Sequence, residues 1–131
     1  MILTVNTQLS QPIYEQLRNQ IVHGIAARQL LPNEALPSVR RLAADLGINL
    51  HTVNKAYAAL QGEGYIVMDR RKGAVIAPSV PCDVAFLRTL SKNIMLSAAE
   101  ARCREMSEEA FIHLCKECYQ GVSENGEKES K

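Results

Sequence analysis

Between Ser38 and Leu60 the sequence spells two short amphipathic helices separated by one tight break, a pattern that few folds accept. Val39, Leu42, Ala43 and Leu46 recur at helical spacing behind Ser38, whose hydroxyl can take up a free amide at a helix start. Gly47 supplies the left-handed residue that ends such a helix. Asn49 can cap a second helix, with Val53, Ala56, Tyr57 and Leu60 marking its buried side. Two short helices across a glycine-containing turn form a helix-turn-helix unit.

The flanks extend that unit in both directions. Upstream, Ile13, Leu17 and Ile21 step by four, flanked by Tyr14, Val22 and Ile25, so residues 11–25 read as a first helix with Pro12 in its opening turn. Leu30 to Glu34 breaks the period, and Ala35-Leu36-Pro37 is extended because the residue before a proline avoids the helical region. Downstream, Tyr65-Ile66-Val67-Met68 and Ala74-Val75-Ile76-Ala77 are β-prone runs around the charged turn Asp69-Arg70-Arg71-Lys72-Gly73, which predicts a hairpin. A hairpin directly after a helix-turn-helix is a wing. From residue 83 helical spacing returns with Leu87, Leu90, Ile94, Ala98 and Ala101, up to Met106. Ser107, Glu108 and Glu109 start a last helix carrying Phe111, Leu114, Cys115 and Cys118 on one side. The predicted fold class is mainly α with a small β-hairpin. A winged helix-turn-helix domain over 1–78 is followed by a two-helix C-terminal dimerisation region over 79–120 and a flexible charged tail over 121–131.

Composition bears on partner and compartment. The hydrophobic share of 47% argues against a wholly disordered chain. The net charge of +1 hides an asymmetry: residues 1–78 carry eight basic and five acidic side chains, a net of +3, which leaves −2 for the remainder. A basic head joined to a mildly acidic partner segment fits a nucleic-acid reader with a separate assembly region. Residues 1–9 lack the pattern of a secretory signal, and no stretch reaches the roughly 18 apolar residues that cross a bilayer. The expectation is a cytoplasmic protein with no membrane partner, whose Cys82, Cys103, Cys115 and Cys118 are reduced thiols.

On a helical wheel, His51, Asn54, Lys55 and Ala58 fall opposite the apolar side of the second short helix, with Thr52 at the margin and no acid among them. Asn and His can reach base edges in a major groove, Lys can neutralise a phosphate, and Ala can touch a thymine methyl. Any helix packed on one side shows a polar opposite side, so this face alone does not decide. The neighbouring hairpin and the basic pairs shift the balance toward DNA, with a solvated loop as the other reading of the hairpin tip. Arg40 and Arg41 open the preceding helix, where side chains and amides can meet one phosphate. Arg70, Arg71 and Lys72 crowd the hairpin tip, three like charges that repel unless a polyanion is near.

The run Leu36-Pro37-Ser38-Val39-Arg40-Arg41-Leu42-Ala43, then Leu46-Gly47-Ile48-Asn49 and His51-Thr52-Val53, resembles the GntR family of bacterial regulators. Ala56-Tyr57-Ala58-Ala59-Leu60 followed by Gly64-Tyr65-Ile66, and Pro12-Ile13-Tyr14-Glu15-Gln16-Leu17, extend the likeness to about residues 10–77. The short remainder is similar to the YtrA-like subfamily. That resemblance implies a repressor binding a double-stranded operator, with DNA contacts from Arg40, from Leu50, His51, Thr52 and Asn54, and from the wing. The DNA-binding set expected overall is Ser38, Arg40, Arg41, Leu50, His51, Thr52, Asn54, Lys55, Arg70, Arg71, Lys72 and Gly73.

Major-groove readers of this kind work as dimers on spaced half-sites. Two helices cannot bury an apolar stripe alone, so Leu87, Leu90, Ile94, Phe111 and Leu114 are expected at a two-fold axis in a homodimer. Two helices also enclose a ligand-sized space only between subunits, so a small-molecule effector would sit at that interface. Two alternatives stay open. Cys103, Cys115, Cys118 and His113 could serve a metal- or redox-responsive regulator, although on a regular helix His113 points away from the two cysteines. A winged-helix module that binds protein instead of DNA is the other, and it predicts tolerance of Arg40→Ala. No enzyme, cofactor or metal is expected: His23, His51 and His113 lack motif partners, and no glycine loop cradles a phosphate.

Overall fold

A computed structural model describes the backbone of residues 2–129 and the side chains of residues 2–122. Its elements are α1 (Ile13–Ala26), α2 (Val39–Leu46), α3 (Leu50–Gly62), β1 (Ile66–Asp69), β2 (Gly73–Ile76), α4 (Val84–Cys103) and α5 (Glu108–Glu129). The mainly α class with a winged helix-turn-helix is what the sequence implied. Two units separate, one running up to Val80 and the other Pro81–Val122.

In the first unit α1 and α2 both pack on α3, and β1 follows from its end. Leu17 and Ile21 of α1 and Val53, Ala56 and Leu60 of α3 are wholly shielded, and Ile66 and Ile76 of the hairpin close the core. The helix ends form as their residues dictate. Ser38 Oγ accepts from the Arg41 amide at 3.1 Å, and Asn49 Oδ1 accepts from the His51 amide at 2.8 Å. Gly47 turns the chain between α2 and α3 at φ 66°, where a side chain would be strained. Tyr57 reaches from α3 to donate to the Pro37 carbonyl at 2.7 Å, tying the recognition unit to the segment that enters it.

Two features of this unit exceed what periodicity predicts. The hairpin, paired antiparallel in register from Ile66↔Ile76 to Asp69↔Gly73, gains a third extended segment. Asn33 and Leu36 donate to the carbonyls of Ile76 and Ala74, the Ile76 amide donates to Glu34, and Ala35 bridges Val75. The chain before Pro37 is thus extended as expected, and it also covers the free side of β2. Upstream of α1, Leu3 and Val5 pack against the core. The amide of Asn6 donates to Gln16 Oε1 at 2.9 Å, and that of Thr4 to Gln20 Oε1 at 3.0 Å. Gln16, buried, returns its own amide protons to the carbonyls of Asn6 and Gln11. Two glutamines one turn apart on α1 act as the edge on which this arm hydrogen-bonds.

In the second unit Asp83 Oδ1 caps α4 by accepting from the Phe86 amide at 2.8 Å. Ser107 Oγ caps α5 by accepting from the Ala110 amide at 3.1 Å. No residue of Pro81–Val122 is buried. The backbone of α5 runs on through Gly121 to Glu129, within the segment that the sequence reads as a flexible charged tail. One helical glycine costs only about 1 kcal/mol relative to alanine, which does not by itself end a helix. The side chains of 123–131 and all of 130–131 lie outside the described residues. Among the described residues no helix is long and apolar enough to cross a membrane.

Candidate nucleic-acid interface

Packing of α1 and α2 on one side of α3 leaves its other side to solvent, and the wheel is reproduced residue by residue. His51, Asn54, Lys55 and Ala58 are exposed, Leu50 at the head of the helix is exposed, and Thr52 is half-buried. The helix carries no carboxylate. Its outward chemistry is therefore side chains that can donate and accept (His51, Asn54 and Gln61), one cation, and the apolar groups of Leu50 and Ala58.

Arg40 and Arg41 project from the first turn of α2, exposed. Arg41 leans on Asp45 one turn later at 3.8 Å, a loose solvent-exposed contact worth little. The Ser38 oxygen accepts from the Arg41 amide, and its own proton is what it can offer a phosphate. At the wing tip, Asp69 Oδ1 accepts from the amides of Arg71 and Lys72 at 2.8 and 3.0 Å. Those two amides hold the Asp69 carboxyl below its ordinary range. Gly73 then closes the turn at φ 78°. One side chain thus shapes the loop, and Arg70, Arg71 and Lys72 are left exposed around it.

Charge pairing sharpens the picture. Every carboxylate of residues 2–80 has an internal partner: Glu15 accepts from the Tyr14 hydroxyl, Glu34 from the Leu31 amide, and Asp69 from its turn. Asp45 and Glu63 pair with Arg41 and Arg18. Among the described residues, Arg28, Arg40, Arg70, Arg71 and Lys72 form no ion pair. The acids are spent inside the unit, and of the arginines and lysines of the expected interface only Arg41 meets one of them.

Sequence reasoning missed three contacts made by two residues of α1, Arg18 and Tyr14. Arg18 bonds Glu63 through Nε at 3.2 Å and stacks 5.5 Å from the Tyr65 ring, fastening α1 to the end of α3. Lys55 Nζ lies 4.2 Å from the centre of the Tyr14 ring. No local pattern announces such pairs, because each joins residues far apart in sequence.

In the second unit Leu87, Leu90, Ile94 and Leu114 keep 39–50% of their surface exposed, and Phe111 is half-buried. All four cysteines are exposed free thiols. His113 Nε2 lies 3.2 Å from Glu117 Oε1, and among the described residues no three His, Cys, Asp or Glu side chains gather as a metal site.

Comparison with known proteins gives this geometry a context. A family model described as "Bacterial regulatory proteins, gntR family" matches residues 9–76. The HTH-type transcriptional regulator Rv1152 of Mycobacterium tuberculosis is 32% identical over 74% of this chain and 80% of its own length. The HTH-type transcriptional repressor YtrA of Bacillus subtilis is 37% identical over 58% of this chain, which spans 58% of that protein. Among solved structures, a transcriptional antiterminator from Listeria monocytogenes EGD-e superposes with a TM-score of 0.85 at 26% identity, over 94% of this chain and 93% of that one. The DNA-binding domain of AraR, solved in complex with operator ORX1, superposes with a TM-score of 0.52 at 26% identity, over 59% of this chain and 99% of that one.

Proposed function

The chain is a YtrA-like member of the GntR family of bacterial regulatory proteins, and from that membership we propose that it represses transcription by binding a two-fold symmetric DNA operator as a homodimer. The observation that carries this reading is the outward face of α3: free of acid, bearing His51, Asn54 and Ala58, and accompanied by uncompensated cations on the elements beside it in sequence. A helix with that face enters a major groove without like-charge repulsion from phosphates.

The similarity to an AraR domain solved on operator DNA supports the same docking. In it, Leu50, His51, Thr52 and Asn54 face base edges. Ser38, Arg40, Arg41 and Lys55 serve the phosphates on one flank, and Arg70, Arg71, Lys72 and Gly73 serve the other. Homodimerisation through Leu87, Leu90, Ile94, Phe111 and Leu114 covers the apolar stripes of α4 and α5 and doubles the half-site. The role is binding, not catalysis, exercised in the cytoplasm where bacterial operators lie. The metal- or redox-responsive alternative would require His113 to leave its exposed contact with Glu117 and turn toward the cysteines.

Selection of bound fragments from random duplex DNA tests the reading. The expected outcome is a pair of inverted half-sites spaced by about one helical turn or a multiple of it. Recovery of no site, or of isolated half-sites alone, sinks the operator model. Arg40→Ala should weaken binding to all sequences alike and lower the salt slope by about one per subunit, whereas a protein-docking module would tolerate it.

A further inference from the structure

Lys55 is the one cation on α3, and it does not hang free in solvent. Its ammonium sits over the Tyr14 ring, within the range of a cation–π contact, and no carboxylate pairs with it. The nearest acid in sequence to Tyr14, Glu15, instead accepts a hydrogen bond from the Tyr14 hydroxyl at 3.4 Å. Tyr14 is itself half-buried against the core, so the ring is a fixed platform and the lysine is the movable partner. A lysine stem is flexible, and ordering it at the moment of binding costs affinity.

Resting on the DNA-reading function proposed above, we propose that Tyr14 is a positioning residue: its ring holds Lys55 at the seam of α1 and α3, ready for a phosphate of the DNA backbone. The lysine supplies the charge and the tyrosine removes part of the ordering cost. Ring and cation therefore act as one element, and the hydroxyl of Tyr14 is dispensable to it.

The test measures affinity of the full chain for a mixed-sequence duplex of about 40 base pairs, long enough for two half-sites separated by two helical turns, across a salt series. Lys55→Ala should weaken binding and lower the salt slope by about one per subunit. Tyr14→Leu should weaken binding about two- to fivefold per subunit, the worth of an exposed cation–π contact, and Tyr14→Phe should restore it. In the Lys55→Ala background Tyr14→Leu should cost nothing further. A merely structural tyrosine gives the opposite: the same loss with or without Lys55. That result, or Tyr14→Leu binding as well as the unaltered chain, overturns the proposal. Failure of the unaltered chain to bind any duplex at low salt instead overturns the DNA-reading function and leaves the Tyr14–Lys55 contact as a surface link between helices.

Discussion

The winged head and the C-terminal helical pair are written in the same code, apolar residues at three- and four-residue steps, yet only the head closes its own core. Leu17, Ile21, Val53 and Leu60 keep no measurable exposure, while Leu87, Leu90, Ile94 and Leu114 retain between 39% and 50%. The head has three helices and a sheet to set against one another, so each stripe finds a partner within the same 80 residues. The pair has two caps, two long helices and nothing buried between Pro81 and Val122. An amphipathic stripe fixes that a surface will be covered; it does not say by what. In the head the answer is intramolecular. In the pair it is a second chain, on the proposed reading.

The comparison breaks most visibly with Leu60→Ala. Removing a fully shielded leucine from the buried side of the recognition helix should cost about 2–5 kcal/mol, read as a lower midpoint in chemical denaturation. DNA binding should fall with it, since α3 loses its seat. Next comes Ile94→Glu. A charge on a residue 49% exposed in the single chain should leave the head's unfolding midpoint where it was. Sedimentation should show half the mass, and affinity for a two-half-site duplex should drop about 10²-fold through lost bivalency. If Ile94→Glu unfolds the head as Leu60→Ala does, the two regions are one cooperative body and the division drawn here fails.

That division also marks what the sequence makes legible. Caps, turns and stripes are local, so Ser38, Gly47, Asn49 and Ser107 announce the helices they bound, and the exposed face of α3 follows from the wheel. The third extended segment against β2 is not local. It depends on residues 33–36 meeting residues 74–76, and nothing in Asn33-Glu34-Ala35-Leu36 alone specifies that partner. The arm on Gln16 and Gln20 was invisible for a related reason: glutamine on a helix reads as solvent-facing, and its burial under backbone groups is a tertiary fact. The Lys55–Tyr14 contact is of the same kind. What the sequence misses are pairings across elements, and these decide how a legible surface is aimed.

A pH titration sharpens the comparison, because the buried tyrosine lies in the head and Tyr119 of the pair is 88% exposed. Burial pushes the Tyr57 hydroxyl up to about 12 from its usual 10.0. Below pH 10 the hydroxyl is protonated in folded and unfolded chains alike, and its contribution is complete. Between pH 10 and 12 the unfolded chain releases the proton first, so the head loses stability as pH rises, by about 2–3 kcal/mol at most. Tyr57→Phe should remove that slope in denaturation curves measured across the interval. At neutral pH it should cost about 1 kcal/mol, because the Pro37 carbonyl loses its donor.

The smallest effect discriminates best. Each unit holds a non-glycine residue in the left-handed region just after a helix: Arg28 after α1 and Glu105 after α4, both at φ 60°. A side chain there costs roughly 1–2 kcal/mol, partly offset when glycine is substituted by its larger loss of backbone freedom. Arg28→Gly and Glu105→Gly should therefore each stabilise by about 0.5–1 kcal/mol. The gains should differ in how they appear. That of Arg28→Gly belongs to a core complete within one chain, so the rise in melting temperature should be independent of protein concentration. That of Glu105→Gly lies between helices that bury nothing alone, so it should shift a transition that itself moves with concentration, as mass action requires of an assembled state. A concentration-independent gain at Glu105 would mean that the pair folds without a partner, and the exposed stripe of Leu87, Leu90 and Ile94 would then have to serve something other than a second copy.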